Sequence, residues 1–253
     1  MTLCAPGGRI PAVDDFVKIL PPGKRLAIFD RDATIISSRR VAYLCYLEVF
    51  REVISPRFPG LAAVAPDAYW REYHPFQPEL FYRRNYPPLG EEELGEVRRI
   101  SWTSYLDHVD DPEVNEPIPG MPEFVRDLAA AGMEIVILTA GKFNGEHLRR
   151  WDVPFQSFYS MVELREAGIL QTKPEAIEHI LSRHGANRKE TVTVGDNPAD
   201  HVPELTSVGV GFGLGSAEAR EVLRRAVDHY ADDLAELRLI FSHSARVDPT
   251  AAD

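Results

Sequence analysis

The chain has 253 residues, 44% of them hydrophobic and 26% charged, a composition that allows a sizeable core and excludes a disordered or fibrous protein. Its 28 lysines and arginines face 39 aspartates and glutamates, giving a formal net charge of −11, which argues against a surface that binds nucleic acid or anionic lipid. No window approaches the roughly 18 apolar residues that span a bilayer, and the first residues lack a secretory apolar run. Cys4 and Cys45 cannot form a disulfide framework. We therefore expect a cytoplasmic protein.

Short apolar runs along the chain predict buried strands. The runs are LAIFD (26–30), MEIVILT (133–139), FQSFYSM (155–161), TVTVGD (191–196) and VGVGFG (208–213). The tail from Ala217 is typical of a helix followed by a polar end.

Helical patterns separate these runs. The segments 121–132 and 174–185 are amphipathic and end in glycine, which commonly terminates helices. Strands that alternate with helices predict a parallel sheet covered on both faces, with ligands at the carboxyl ends of the strands. Asp30, Thr139 and Asp196 fall at those ends.

The alternation stops between about residues 37 and 116. VAYLCYLEVFREVI (41–54) and EEELGEVRRISWTSYLDHV (91–109) are typical of helices and flank a stretch rich in proline and aromatic residues. An insertion of roughly 80 residues can form a small helical subdomain. We therefore predict a core made of residues 1–36 and 117–253, interrupted by a helical unit at 37–116.

Asp30 and Asp32 follow the first strand, two residues apart. One carboxylate can attack phosphorus and form an aspartyl-phosphate, while a neighbour with a raised proton affinity protonates the leaving oxygen and later activates water. The pair supplies both groups that phosphoryl transfer needs.

Two carboxylates repel a dianionic phosphate, so this chemistry requires compensating positive charge. Asp196 and Asp200 offer hard oxygen ligands suited to Mg²⁺ alongside Asp30. Lys173 can neutralise Asp30 and the transferred group.

Further residues are candidates for substrate binding. Thr139 can offer its hydroxyl, and Ala140 and Gly141 their amides, to phosphate oxygens. Arg39 and Arg40 either hold a second anionic group or lie at the start of a helix and face water.

The insertion also contains aromatic residues mixed with arginines, in WREYHPF (70–76) and FYRRNY (81–86). These segments either stack on a substrate or form the core of the insertion with solvated arginines, and the second interpretation is favoured.

Four motifs occur in order: FDRDATI, VILTAG, Lys173 within QTKPEA, and VGDNPAD. Together they resemble the haloacid dehalogenase superfamily of phosphohydrolases over roughly residues 24–215. The resemblance implies an α/β fold, with a Rossmann-like parallel-sheet core and a mainly helical cap inserted after the first motif.

The resemblance also implies roles for the site residues. Asp30 would be the nucleophile, Asp32 the general acid and base, and Thr139 and Lys173 the phosphate binders. Mg²⁺ would be held by Asp30, Asp196 and the backbone carbonyl of Asp32.

Asp200 would support that metal site. Ala33 departs from the family pattern, which usually has glycine there, and a positive φ at this position would strain it by about 1 kcal/mol or more. Asp32 itself disfavours the dehalogenase branch, which lacks the second carboxylate.

The sequence therefore predicts a Mg²⁺-dependent phosphatase that hydrolyses a small phosphate monoester through an aspartyl-phosphate on Asp30. The alternatives are a phosphomutase of the same superfamily and a non-catalytic binding protein that retains the fold. The expected partner is a small phosphorylated substrate, without nucleic acid or membrane. Substrate identity and oligomeric state stay open.

Overall fold

The computed structural model describes residues 20–75, 77–87, 89–109, 111, 113–141, 145–169 and 172–242. The predictions that concern Cys4, the first residues and the polar end beyond residue 242 lie outside the described residues. Across the described ranges, no helix combines the length and apolar character needed to cross a membrane.

The chain alternates strands and helices as expected. The strands are β1 (Leu26–Phe29), β2 (Ile36–Ser37), β3 (Glu116–Pro117), β4 (Glu134–Thr139), β5 (Ser157–Ser160), β6 (Thr191–Gly195), β7 (Thr206–Val210) and β8 (His229–Ala231). The helices of the insertion are α1 (Arg39–Val49), α2 (Ser55–Arg57), α3 (Pro66–Glu72), α4 (Glu79–Asn85) and α5 (Glu91–His108). The later helices are α6 (Met121–Ala130), α7 (Glu146–Arg150), α8 (Met161–Glu166), α9 (Lys173–His184), α10 (Ala217–Ala226) and α11 (Leu234–Phe241).

Within the described residues, six strands form one parallel sheet in the order β5-β4-β1-β6-β7-β8. The central strand β1 is apolar throughout because side chains on both of its faces are buried. Ala27 and Phe29 pack into one hydrophobic cluster, whereas Leu26 and Ile28 pack into another. Helices thus cover both faces of the sheet, and the α/β, Rossmann-like fold predicted from the sequence is confirmed.

The mainly helical insertion has a hydrophobic cluster of its own, made only of residues between 42 and 100. Helix α1 continues through a π-helical turn (Phe50–Ile54) into α2 and packs along α5. Aromatic rings fill much of this cluster, with Tyr46 and Tyr69 stacked at a centroid distance of 4.6 Å. The antiparallel pair of β2 and β3 joins the two points where the chain leaves and re-enters the sheet. The exact limits 37–116 stay a prediction.

Two parts of the fold differ from the sequence-based expectation. The stretch between the long helices of the insertion contains α3 and α4, seven residues each, which are too short to show a clear helical period. The tail from Ala217 was expected to be one helix, but the strand β8 separates α10 from α11. An edge strand of three residues, partly exposed, gives no recognisable alternation.

Ala33 adopts a positive φ of 53°, the left-handed region that favours glycine. It lies in the turn after β1, where the amides of Ile35 and Ile36 both donate to the carbonyl of Arg31. The strain expected for alanine at this position is therefore present.

We predict that Ala33→Gly raises the melting temperature by up to about 2–4 °C, because relief of about 1 kcal/mol of strain exceeds the added entropy of the unfolded chain. Ala235→Gly in the exposed turn of α11 is the control and should lower it. Thermal unfolding by circular dichroism measures both; a lower melting temperature for Ala33→Gly would contradict the strain.

Candidate active site

Three carboxylates meet at the carboxyl edge of the sheet. Asp30 directly follows β1, Asp196 directly follows β6, and Asp200 ends the short 3₁₀ turn 198–200. Their side chains are only 7%, 7% and 5% exposed. One oxygen from each lies within 4.8 Å of the others, the one such group of potential metal ligands found in the described part of the chain.

The backbone around Asp196 brings Asp200 into this group. Asn197 caps the 3₁₀ turn, and its amide donates to Oδ2 of Asp200 at 3.2 Å. A Cβ on Gly195 would lie 2.3 Å from the same oxygen. The glycine before Asp196 is therefore required for close approach of the Asp200 carboxylate.

Lys173 supplies the positive charge. It is the first residue of α9, whose start is fixed by a capping box between Thr172 and Glu175. Its Nζ donates to Oδ1 of Asp30 at 2.5 Å and also to Oδ1 of Asp200. The lysine thus holds two of the three carboxylates, and both contacts are largely buried.

The pKa values follow from this burial. Burial raises the pKa of Asp30 to about 7, although Lys173 lowers it, and burial followed by the charges of Asp30 and Asp200 raises the pKa of Asp196 well above its ordinary 3.8. Burial opposes the charge on Lys173, but Asp200 and Asp30 outweigh it and raise its pKa. One cation does not balance three buried carboxylates, and their hard oxygens suit Mg²⁺, so the residues present fit the predicted metal.

Asp32 has hydrogen-bond partners that differ from those of this group. Its Oδ1 accepts from Nε and Nη2 of Arg31 at 3.1 and 2.5 Å. Its Oδ2 accepts from the hydroxyls of Tyr105 at 2.8 Å and Thr139 at 3.3 Å. Burial, and then the charge of Asp32, raise the pKa of Tyr105, so this residue is a neutral phenol that donates. The two aspartates of the first motif therefore have separate environments.

Sequence reasoning missed Arg31 and Tyr105. Arg31 is only 1% exposed, and its Nη2 also lies 3.4 Å from the carbonyl of Val109 at the end of α5. An arginine after a strand is ordinarily solvated, and Tyr105 belongs to a helical pattern without a distinguishing neighbour. The signal available in the sequence was the position of Arg31 between the two aspartates of the first motif.

The residues after β4 lie beside Asp32. Thr139 is fully buried, and its hydroxyl also accepts from the amide of Gly141 at 3.3 Å. The hydroxyl of Ser160 donates to the carbonyl of Gly141 at 2.6 Å. Ala140 lines the cavity described next.

A cavity of about 360 Å³ separates the sheet edge from the insertion. Its core side contains Asp30, Asp32, Ala140, Lys173 and Asp196, so predicted residues of all four motifs open into one space. Cys45 lines it too, and burial raises the pKa of its thiol to about 11, which disfavours a thiolate nucleophile.

The candidate arginines lie elsewhere. Arg39 pairs with Asp67, and Arg40 donates to the carbonyl of Glu113 at 2.7 Å, so neither is a lining residue of the cavity. The aromatic segments divide between the two interpretations. Phe81 is buried within the insertion, whereas Trp70 and Tyr73 line the cavity; Phe76 lies outside the described residues.

Known proteins show what this arrangement belongs to. A family model of haloacid dehalogenase-like hydrolases matches residues 24–209, so the chain belongs to this family of hydrolases. A search of curated proteins found no match.

Solved structures share the fold at low sequence identity. A predicted phosphatase from Clostridium acetobutylicum is 18% identical with a TM-score of 0.60, covering 85% of this chain and 96% of its own. A haloacid dehalogenase-like family hydrolase from Streptococcus pneumoniae is 15% identical with a TM-score of 0.59, covering 85% and 97%. A predicted phosphoglycolate phosphatase from Haemophilus somnus is 18% identical with a TM-score of 0.55, covering 85% and 96%.

We predict that Asp196→Asn stabilises the protein in chelator at pH 8. Folding raises the pKa of Asp196, so as pH rises above 3.8 the unfolded chain loses this proton before the folded chain does. The free energy of unfolding therefore falls with rising pH until the pKa of the folded state is reached. Removing the charge recovers about 1.4 kcal/mol for each unit of that rise. The gain should shrink as the pH falls towards 4.

Thermal unfolding with EDTA and with Mg²⁺ measures the effect. Mg²⁺ should stabilise the wild type more than Asp196→Asn, and the exposed Asp107→Asn should behave like wild type. Equal stabilisation of all three by Mg²⁺ would contradict a metal site at Asp196.

Proposed function

We propose that this hydrolase is a Mg²⁺-dependent phosphatase that acts on a small phosphate monoester through an aspartyl-phosphate on Asp30. The observation that carries the proposal is that Asp30 and Asp32 have different hydrogen-bond partners. Asp30 is held by Lys173 beside two further carboxylates, whereas Asp32 is held by Arg31, Tyr105 and Thr139. Two structural neighbours named as predicted phosphatases support it.

Asp30 has the position of a nucleophile. It lines the cavity, with Oδ1 bound by Lys173 and Oδ2 free of any hydrogen bond to described residues. In the first step, an oxygen of Asp30 bonds to phosphorus as the bond from phosphorus to the alcohol oxygen breaks. In the second step, water attacks the aspartyl-phosphate, which releases phosphate and restores Asp30.

Asp32 moves the protons in both steps. It donates a proton to the leaving oxygen in the first step and takes one from water in the second. Arg31 and Tyr105 fix the carboxylate from both sides, because each of its oxygens accepts from a different residue. We assign them as positioning residues.

Asp30, Asp196 and the backbone carbonyl of Asp32 would hold Mg²⁺, with Asp200 in support. The ion would supply positive charge against the transferring phosphoryl group. Lys173 adds to this charge, and Thr139 with the amides of Ala140 and Gly141 would bind phosphate oxygens once the hydroxyl of Thr139 turns from Asp32.

We also propose a compartment and a kind of partner for the enzyme. Its net charge of −11 and the absence of an apolar span in the described residues support a cytoplasmic enzyme whose partner is a small phosphorylated substrate, not nucleic acid or a membrane.

We predict that wild type releases phosphate from p-nitrophenyl phosphate with Mg²⁺ but not with EDTA, and that Asp30→Asn abolishes release because an amide is a poor nucleophile. Asp107→Asn is the matched control and should retain activity. In ¹⁸O-labelled water the released phosphate should carry one solvent oxygen. Mg²⁺-dependent activity in Asp30→Asn would contradict the proposal, and transfer without solvent oxygen would indicate a phosphomutase.

We predict that Tyr105→Phe lowers kcat about tenfold on alkyl phosphates, since a hydrogen bond to a charged group contributes about 1.5–3 kcal/mol and 1.4 kcal/mol is a factor of ten. The loss should be smaller on p-nitrophenyl phosphate, whose leaving group needs less protonation. Tyr43→Phe, which removes a hydroxyl that donates to Val64, is the control. Equal losses on both substrates would argue against a role through Asp32.

A further inference from the structure

The wall of the cavity that the insertion contributes is rich in aromatic side chains. Its aromatic side chains are Tyr69, Trp70, Tyr73, Tyr82, Trp102 and Tyr105. The aliphatic side chains of Val41, Ala42 and Val97 line the same wall. The space opposite the carboxylates is therefore suited to an apolar group.

Three pairs of these rings are already stacked. Tyr69 and Tyr73 have ring centroids 5.3 Å apart and an interplanar angle of 29°. Trp102 and Tyr105 lie on one face of α5, with ring centroids 5.4 Å apart and an interplanar angle of 21°. Trp70 on α3 and Tyr73 directly after this helix are 6.0 Å apart at 23°. Trp102 is 46% exposed although it lines the cavity. Pre-positioned flat rings bind another ring with little loss of conformational freedom.

Trp70 also fixes the position of this wall relative to the core. A Cβ on Gly215 would lie 2.1 Å from the carbonyl oxygen of Trp70 and 2.6 Å from its ring. The loop after β7 thus accepts the tryptophan only because residue 215 is glycine. The aromatic wall is held close to the carboxylates.

The one cation that the described residues of this wall contribute is already paired. Arg98 lines the cavity, but its Nη1 donates to Oε1 of Glu79 at 2.8 Å, and Glu79 lines the cavity as well. Lys173, the other cation among the described lining residues, is bound by Asp30 and Asp200. A carboxylate or second phosphate on a substrate would therefore meet the Glu79 carboxylate and would have to compete with it for Arg98.

We propose that the substrate is the phosphate monoester of an uncharged alcohol that carries an aromatic ring. This inference rests on the phosphatase function proposed above and specifies its leaving group. The phosphate lies at the carboxylates and Lys173, and the ring packs against Trp102 and the neighbouring aromatic side chains. A volume of about 360 Å³ suits one such small group.

The first test compares kcat/KM for benzyl phosphate and 2-phenylethyl phosphate with phosphoglycolate and glucose 6-phosphate. We expect the aromatic esters to be preferred by about a hundredfold, the discrimination that apolar pockets and unpaired charges commonly give. Equal or greater kcat/KM for phosphoglycolate or glucose 6-phosphate would overturn the proposal.

The second test frees the cation. Glu79→Gln should raise the ratio of kcat/KM for phosphoglycolate to that for benzyl phosphate about tenfold, because Arg98 then pairs with the substrate carboxylate. Glu52→Gln removes the same charge from an exposed carboxylate that pairs with Arg51 outside the cavity, and should leave the ratio unchanged. Equal ratios in the two variants would overturn the charge argument.

The third test does not depend on turnover. Calorimetry with Mg²⁺ should show benzylphosphonate binding at least about tenfold more tightly than phosphonoacetate, and Trp102→Ala should weaken benzylphosphonate by a similar factor. Leu106→Ala on the same helix is the control, since Leu106 is exposed and does not line the cavity. Equal binding of the two phosphonates would overturn this inference.

The two failures can be told apart. Preferred binding of benzylphosphonate without release of phosphate from any ester would reject the phosphatase function and retain the aromatic cavity. Phosphate release from esters of every class, with equal binding of the two phosphonates, would retain the phosphatase function and reject the aromatic substrate.

Discussion

The structure depends on how three buried carboxylates at one sheet edge are tolerated. Asp30, Asp196 and Asp200 share one lysine, and burial raises the proton affinity of Asp30 and Asp196. Such a cluster destabilises the folded chain unless additional positive charge binds it. The same repulsion favours binding of a divalent cation and then of a phosphoryl group, so the instability of the empty cluster and the proposed activity have one physical origin.

The grouping of polar residues at this sheet edge was predictable, because the carboxyl ends of parallel strands lie at the same edge. Once LAIFD, MEIVILT and TVTVGD are interpreted as strands, their carboxyl ends must lie side by side, and the polar residues at those ends must meet. The register confirms it, since β1 pairs with β4 and β6 on its two sides. The capping box and closing glycine of α9 are equally local features, and they fix where the helix that begins at Lys173 starts and ends.

Contacts between distant segments were not predictable in this way. A helical period assigns Tyr105 to a face of α5, but the partner of that face depends on how the insertion packs on the sheet. The buried guanidinium of Arg31 donates to Asp32 and to the carbonyl of Val109, and Val109 is 78 residues away. The edge strand β8 was missed for a different reason: three residues are too few to show a period.

Helix α5 links the two halves of the proposed chemistry. Residues 98, 101, 102 and 105 lie within two turns on the face that lines the cavity. Tyr105 contacts Asp32, whereas Trp102 and Arg98 lie where a leaving group would bind. A rigid helix cannot move one end of this face without the other, so the fit of the leaving group and the orientation of the proton donor are coupled. Selection for a substrate therefore acts on the catalytic geometry through a single helix.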